Sequence, residues 1–197
     1  MTCILGISGS LRNGSNTLVL VEKTLEFARS LGAETHLLDL REHPLPLYEA
    51  HEDYDNNPTV EKIISMVESC DAMVLGSPEY HGSMSGAMKN FLDFLYRELA
   101  GKVCALVSAT GGSQGSGCFD NMRASVHACH GWVLPYVTSA TGRDIDAAKQ
   151  ITNARTIDRL QRTARDLVYY GPLLRQQFQK DLKQPADAPP GFAQWMS

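Results

Sequence analysis

Residues 1–17 read MTCILGISGSLRNGSNT, an apolar run followed by a loop of glycines, serines and one arginine. The segment at 2–8 is almost wholly apolar, which predicts a buried strand. Apolar residues then recur every three or four positions over 16–31, which predicts a helix. The loop therefore connects the carboxyl end of a strand to the amino end of a helix.

The same alternation of short apolar runs and longer amphipathic segments continues along the chain. Further strands are predicted at 34–40, 71–76, 102–108 and 132–138. Further helices are predicted at 59–69, 85–100, 117–129 and 145–169. Strands one, three and four are nearly continuous in apolar residues, as in parallel sheets with helices on both faces. With right-handed crossovers this predicts a doubly wound α/β fold, whose ligands bind beyond the carboxyl ends of the strands.

Composition indicates a globular protein without a nucleic-acid or membrane partner. The chain has 197 residues, 43% of them hydrophobic and 20% charged, and a net charge of -4. That charge provides no basic field for nucleic acid or an anionic membrane. No apolar run approaches about 20 residues, and no signal-peptide pattern is present. Five cysteines without paired spacing suit reduced thiols, so a cytoplasmic protein is predicted.

Two segments interrupt the alternation of strands and helices. Residues 41–58 are acidic and rich in turn formers, which suits either a surface loop or a subunit contact. Residues 184–197 are rich in proline and contain two aromatic residues, Phe192 and Trp195. We therefore predict one domain over 1–183 and a flexible tail over 184–197, whose aromatic residues are available to dock on a neighbour.

The loop after the first strand has the composition of a phosphate-binding cradle. Its glycines let backbone N–H groups point inward, and the following helix adds the positive end of its dipole. Further donors are Ser10, Ser15, Asn16 and Thr17, and Arg12 supplies a positive charge. Ser15 stands where a Walker A loop needs lysine, and the glycine spacing does not fit a dinucleotide fingerprint. One phosphate is predicted here, with a plain helix-capping turn as the alternative.

The loops after the third and fourth strands predict a site for a flat ligand. Tyr80 and His81 bring two rings to the carboxyl end of strand three. The segment 108–117 contains four glycines, so its backbone N–H groups can approach the edge of a ring closely. For both loops, an ordinary surface turn is the alternative.

Two other kinds of site are disfavoured. Residues 111–115 match the G-x-S-x-G elbow of α/β-hydrolases, which needs a later acid and then a later histidine. The last histidine is His130, only one predicted helix away, and Asp144 has no histidine after it. A metal site built on Cys118, His127, Cys129 and His130 is also disfavoured, because Cys118 and Cys129 lie about 16 Å apart along one predicted helix.

Two motifs together resemble the NADPH-dependent FMN reductase family. They are Gly9-Ser10-Leu11-Arg12-Asn13-Gly14-Ser15-Asn16 and Pro78-Glu79-Tyr80-His81-Gly82-Ser83. A third segment, Gly86-Ala87-Met88-Lys89-Asn90-Phe91-Leu92-Asp93, strengthens the likeness, which runs to about Gly142. The resemblance implies a flavodoxin-like, five-stranded parallel sheet in the order 2-1-3-4-5. Many members have Asn at the position of His81, a departure at the reactive side of the flavin.

The resemblance also implies the cofactor, FMN, and the residues that bind it. Its phosphate would lie near Ser10, Arg12, Ser15, Asn16 and Thr17. Its isoalloxazine ring would contact Pro78, Glu79, Tyr80, His81, Gly82 and Ser83. The pyrimidine side of the ring would be bounded by Ser108, Thr110, Gly111 and Gly112.

The activity implied is that of an FMN-dependent NAD(P)H oxidoreductase. Hydride would pass from NADPH or NADH to the flavin N5, and electrons then to a small acceptor: a quinone, an azo compound, a metal oxyanion, free flavin or oxygen. No side chain is predicted to act as nucleophile or general base. The alternative is an electron-carrier flavodoxin without reductase activity, which the mild charge of -4 disfavours.

Similar family members form dimers or tetramers, often through the helix after the second loop. That region here carries more apolar residues than one face on a sheet should need. They are Met84, Met88, Phe91, Leu92, Phe94 and Leu95. We therefore predict a homo-oligomer with this helix in its interface.

Overall fold

The computed structural model describes residues 1–112, 115–185, 189 and 191–195. Within them, strands and helices alternate along the chain. The strands are β1 (Cys3–Ser8), β2 (Glu34–Asp39), β3 (Ala72–Pro78), β4 (Val103–Thr110), β5 (Trp132–Val133) and β6 (Thr138–Thr141). The helices are α1 (Asn16–Ser30), α2 (Pro58–Ser69), α3 (Gly86–Asp93), α4 (Ser116–Ala128), α5 (Ala154–Asp181) and α6 (Phe192–Trp195).

The strands form one parallel sheet in the order β2-β1-β3-β4-β5, and β6 also pairs with β4. The predicted doubly wound fold and the order 2-1-3-4-5 are thus confirmed. The three central strands β1, β3 and β4 are buried along nearly their whole length. Helices cover them from both sides, which explains their nearly continuous apolar sequence.

Two apolar layers enclose the sheet, because successive side chains of a strand point to opposite faces. On β3, Met73 and Leu75 pack into the layer that holds α2, α3 and α4. Ala72 and Val74 pack into the opposite layer, which holds α1 and α5. The alternation along one strand thus serves two separate cores.

The predicted continuous fifth strand at 132–138 is wrong. β5 lies beside the start of β4, and β6 lies beside its end, with residues 134–137 between them. The Leu134 N–H still donates to the Cys104 carbonyl over 3.0 Å. Pro135 has no N–H with which to continue the ladder, so the strand breaks there.

The third helix ends earlier than its prediction of 85–100. α3 stops at Asp93, and residues 94–100 form turns. There the Glu98 carboxylate accepts a hydrogen bond from the backbone N–H of Tyr96 over 2.6 Å. A local side-chain bond of this kind competes with helical hydrogen bonding.

The last helix starts and ends later than its prediction of 145–169. Asn153 caps α5 by accepting from the N–H groups of Arg155 (2.9 Å) and Thr156 (3.4 Å). Residues 144–152 form a separate loop, in which Ile145 bridges to Ile151. Neither α5 nor any other helix in the described ranges is both long enough and apolar enough to cross a membrane.

The apolar residues that predicted a subunit interface are mostly buried within this chain. Met84, Met88, Phe91, Leu92 and Leu95 are each at most 8% exposed, and they belong to the core that α4 and β3 complete. The inference of surplus apolar surface on that helix is therefore wrong, because the neighbouring helix covers it.

The described part of the tail packs against its own chain. The Phe192 ring lies 5.5 Å from the Phe178 ring and 6.0 Å from the His130 ring, between centroids. Ala193 is 2% exposed in a small cluster with Phe178 and Ala100. These contacts join α6 to the far end of α5.

Candidate functional site

Three loops meet at the carboxyl edge of the sheet because β1, β3 and β4 are neighbours there. They surround a cleft of about 300 Å³, at the lower end of the range for small-molecule sites. Most of the predicted site residues line it: Ser10, Arg12, Ser15, Asn16, Thr17, Pro78, Glu79, Tyr80, Thr110 and Gly111. Gly14, Ala109 and Lys149 line it as well and were not predicted.

One end of the cleft is the amino terminus of α1. Ser15 caps this helix, its Oγ accepting from the Thr17 N–H over 3.1 Å. No acidic residue occupies the first turn, so no carboxylate of its own satisfies the helix dipole. The Thr17 hydroxyl is fully buried and meets no hydrogen-bonding partner among the described residues. The end thus combines a helix terminus, an unused hydroxyl and the exposed Arg12, which suits an anion.

The first loop is fixed to the rest of the fold by buried hydrogen bonds. The Gly9 N–H donates to the Gly76 carbonyl on β3 over 2.7 Å. The Gly9 carbonyl accepts from the Ser85 hydroxyl over 2.6 Å. The first loop is therefore held rigidly against the strand and helix that flank the second loop.

The second loop is a tight turn with an unusual backbone. Tyr80 and Ser83 exchange hydrogen bonds between their main chains, over 2.9 and 3.0 Å. Between them, His81 has φ 51° and Gly82 has φ 75°. Positive φ at both central positions defines a type I′ turn. Tyr80 lines the cleft and is 51% exposed, so one side of it faces solvent.

The third loop touches the second where α4 begins. A Cβ on Gly117 would lie 2.0 Å from the carbonyl oxygen of Gly82. Only glycine fits there, so this glycine serves packing between the two loops, and the predicted approach of the backbone to a ring stays a prediction. At Gly111 and Gly112 an added Cβ would meet nothing within 4 Å, so their backbone is open on one side.

The remaining predicted residues lie near the cleft without lining it. His81, Gly82 and Ser83 form the turn itself, and Gly112 follows Gly111 on the exposed rim. Ser108 is buried beneath, where its hydroxyl lies 3.6 Å from the Cys118 sulfur. These residues support the cleft's walls.

The two disfavoured kinds of site gain nothing from the structure. Ser113 and Gln114 of the hydrolase-like elbow lie outside the described residues. His130 follows the far end of α4, about 20 Å along that helix from the loop. Burial raises the pKa of the Cys118 thiol, which opposes the thiolate form that metal binding or nucleophilic attack needs.

Fold and cleft together define a flavodoxin-like protein with a cleft at the amino end of its first helix. The chain belongs to the NADPH-dependent FMN reductase family, whose family model matches residues 2–146. This confirms the resemblance seen in the motifs.

Sequence and structure comparisons with individual proteins are consistent with membership in this family. The chain is 38% identical over 104 residues to an NADPH azoreductase of Bacillus sp. (strain OY1-2), covering 52% of this chain and 58% of that enzyme. It is 28% identical over 180 residues to the NADPH-dependent FMN reductase ArsH of Shigella flexneri, covering 87% and 69%. The solved structure of FerB, an NAD(P)H:(acceptor) oxidoreductase from Paracoccus denitrificans, superposes with a TM-score of 0.74 at 21% identity, covering 88% and 98%. The chain thus spans 58% of the azoreductase's length, and FerB shares its fold.

The left-handed backbone at His81 yields a test of the second loop. We expect His81→Asn to leave the melting temperature unchanged, because Asn adopts positive φ readily. His81→Val should cost about 1–2 kcal/mol, since a β-branched residue is strained there, and should lower the melting temperature by several degrees. Thermal unfolding followed by circular dichroism measures both variants. Equal melting temperatures for the two would contradict the turn described here.

Proposed function

We propose that this protein binds FMN in the cleft and uses it as an NAD(P)H-dependent oxidoreductase. The observation that carries the proposal is the pairing of an anion site with a wall of backbone turns in one cleft. FMN needs both, because it joins a terminal phosphate to a flat, hydrogen-bonding ring.

The cleft residues suit the two parts of FMN. The phosphate would be held at the amino end of α1 by Arg12, Ser10 and the buried Thr17 hydroxyl, which has no other partner among the described residues. The ring would lie between the turn at Tyr80 and the open backbone at Gly111. The remaining predicted ring contacts, from His81 to Ser83 and at Gly112, stay proposals of the same kind.

The chemistry belongs to the cofactor and the protein supplies its setting. When bound, FMN would supply the hydride and electron transfer between a reduced nicotinamide and an acceptor. The chain's own residues orient the ring through backbone groups and hold the phosphate by charge. Tyr80, half exposed at the lip, leaves one approach open for a flat donor and then a flat acceptor.

Family membership supports NADPH as donor, and we include NADH because no separate dinucleotide motif is present in the sequence. We propose small acceptors of the quinone and azo classes. The NADPH azoreductase among the relatives supports the azo class. The five cysteines are all unpaired, which supports a reducing compartment and hence a cytoplasmic location.

The second candidate function is an electron carrier without its own reductase activity. The flavodoxin-like fold is compatible with it, but membership in a reductase family favours the enzyme. The two functions differ in one observable property, which is reduction of the bound flavin by a nicotinamide alone.

The visible spectrum of the purified protein tests the proposed function directly. We expect flavin absorbance, release of FMN on denaturation, and bleaching when NADPH is added without oxygen. FAD in place of FMN, or no flavin after reconstitution, would overturn the cofactor assignment. Bleaching by dithionite but not by NADPH or NADH would favour the electron carrier.

Arg12→Ala tests the phosphate cradle. A charge-assisted hydrogen bond is worth about 1.5–3 kcal/mol, so FMN should bind about ten- to a hundredfold more weakly. Riboflavin has the same ring without the phosphate, so its affinity should hardly change. Fluorescence titration of flavin-free protein with both flavins measures the constants.

Arg97→Ala is the matched control for this experiment. Arg97 is exposed and precedes β4, at the opposite edge of the sheet from the cleft, so its loss changes the net charge alone. Equal losses of FMN and riboflavin affinity in Arg12→Ala would mean that Arg12 supports the fold rather than the phosphate.

We also propose that the protein is a homo-oligomer, through a groove that α3 lines with Gly86, Ala87 and Asn90 rather than with the apolar residues on which the prediction rested. Residues 41–58 dock on α3, where the Asn90 amide bonds the main chains of Pro46 and Tyr48 (2.8 and 2.9 Å). Beside this contact lies an apolar groove of about 390 Å³ that includes Leu47, 77% exposed, and Leu11, 61% exposed. Exposed apolar surface of this kind favours a partner, and we propose a second copy.

Leu47→Glu tests the interface. The side chain is exposed within one chain, so the fold should tolerate the charge while the assembly should dissociate. Sedimentation velocity at micromolar concentration should show a dimer or tetramer for the parent and a monomer for the variant. Leu173→Glu, which alters a leucine on α5 that is 62% exposed, should leave the assembly intact. A monomeric parent would contradict the proposal.

A further inference from the structure

Lys149 lies at the phosphate end of the cleft although it is distant in sequence from the first loop. Its Nζ donates to the Asn16 side-chain oxygen over 2.9 Å, across 133 positions of sequence. It lines the same cleft as Arg12 and Thr17. Position 149 falls beyond residues 2–146, which match the family model, so the family motifs do not account for it.

The segment that carries Lys149 is a loop held in shape by its own hydrogen bonds. The Lys149 N–H donates to the Asp146 carbonyl over 3.1 Å, and the Asp146 N–H donates to the Gln150 carbonyl over 2.9 Å. The Asp146 carboxylate also accepts from the Gln150 N–H over 2.8 Å. Lys149 itself has φ 62°, a strained conformation that a non-glycine residue keeps only when its surroundings impose it.

Asp144 joins the start of this loop to strand β6 and to helix α5 by hydrogen bonds. Its Oδ2 accepts from the N–H and the hydroxyl of Thr141, at the end of β6. Its Oδ1 accepts from the Asn153 amide, which caps α5. These hydrogen bonds lower the pKa of the Asp144 carboxyl and keep it ionised. The loop is therefore anchored at the point from which Lys149 extends to the cleft.

The Lys149 ammonium forms no ion pair among the described residues, although the Glu79 carboxylate also lines the cleft. Within the described ranges no carboxylate lies within ion-pair distance of its ammonium, and its partner there is the neutral amide of Asn16. Arg12 adds a second positive charge, and the helix terminus adds a partial one. The buried Thr17 hydroxyl at the same end is an independent sign of a ligand, because it meets no partner among the described residues.

We propose that Lys149 is a second cationic ligand of the flavin phosphate and contributes to selection of FMN over FAD. The inference rests on the proposed function and adds a residue that its motifs do not contain. A terminal phosphate monoester carries close to two negative charges at neutral pH, which two cations match. The corresponding phosphate of FAD has one ester and one anhydride bond and carries one charge, so it gains less from the second cation.

Flavin titrations of the full-length chain, freed of flavin, test this inference. Lys149→Met should weaken FMN binding about tenfold. This is the effect of losing a charge-assisted hydrogen bond, reduced because the lysine is exposed to solvent. FAD should lose less than FMN, and riboflavin should change less than about twofold. Lys149→Arg should keep most of the FMN affinity, because the charge remains.

Two further variants distinguish the loss of the Lys149 charge from a change in the backbone at that position. Lys149→Gly also removes the ammonium but relieves the strain of positive φ, so it should lose the same FMN affinity without loss of stability. Lys183→Met removes an equal charge beyond the far end of α5, a helix about 42 Å long that begins shortly after Lys149. This variant should bind FMN like the parent.

The outcomes distinguish this inference from the proposed function. A parent protein that binds no FMN would overturn the proposed function itself. A parent that binds FMN while both charge-removing variants bind it equally well would overturn only the role of Lys149. Equal weakening of FMN and riboflavin would also overturn it, because Lys149 would then act on the loop through Asn16 rather than on the phosphate.

Discussion

The hydroxyl of Ser85 joins the two loops on which the cleft depends. It donates to the Gly9 carbonyl and accepts from the Met88 N–H, while the Ser85 N–H donates to the Ser77 hydroxyl. All of these groups are buried, so losing the hydroxyl would leave main-chain groups without partners in an apolar setting. One side chain thus links the first loop, the end of β3 and the start of α3. The part of the cleft at the α1 terminus and the part at the second loop therefore cannot shift independently of each other.

The two ends of the cleft use different physical means. At the α1 terminus, where we propose that the phosphate binds, Arg12, Lys149 and the helix dipole concentrate positive charge locally, within a chain whose net charge is -4. At the ring end, the walls are main-chain turns held by the contact between Gly117 and Gly82. This division suits a cofactor that carries its own redox chemistry, because such a cofactor needs orientation and an open face more than it needs catalytic side chains.

Local patterns were enough to predict the parts of the site that lie on one stretch of chain. The place of the loop from Ser10 to Thr17 could be predicted because a strand, its turn and the helix cap follow one another directly. The early end of α3 could not be predicted, since it depends on the Glu98 carboxylate competing for the Tyr96 N–H. The break in the fifth strand had a visible signal in Pro135, which lacks the N–H that a continuous ladder needs. Lys149 had no signal, because nothing in its own neighbourhood indicates what it faces.

The sequence by itself determined the alternation of strands and helices, the parallel sheet, and the position of the loop of glycines, serines and Arg12 between β1 and α1. These follow from hydrophobic periodicity and from residues adjacent along the chain, whose interactions do not depend on distant packing. Only the tertiary structure decided that α4 covers the apolar side of α3, that Gly117 meets Gly82, and that Lys149 meets Asn16. Each of these contacts joins segments far apart in sequence, and its existence depends on crossover geometry and loop anchoring. Local propensity carries no information about where such segments come to lie, so the chain must fold before these contacts are defined.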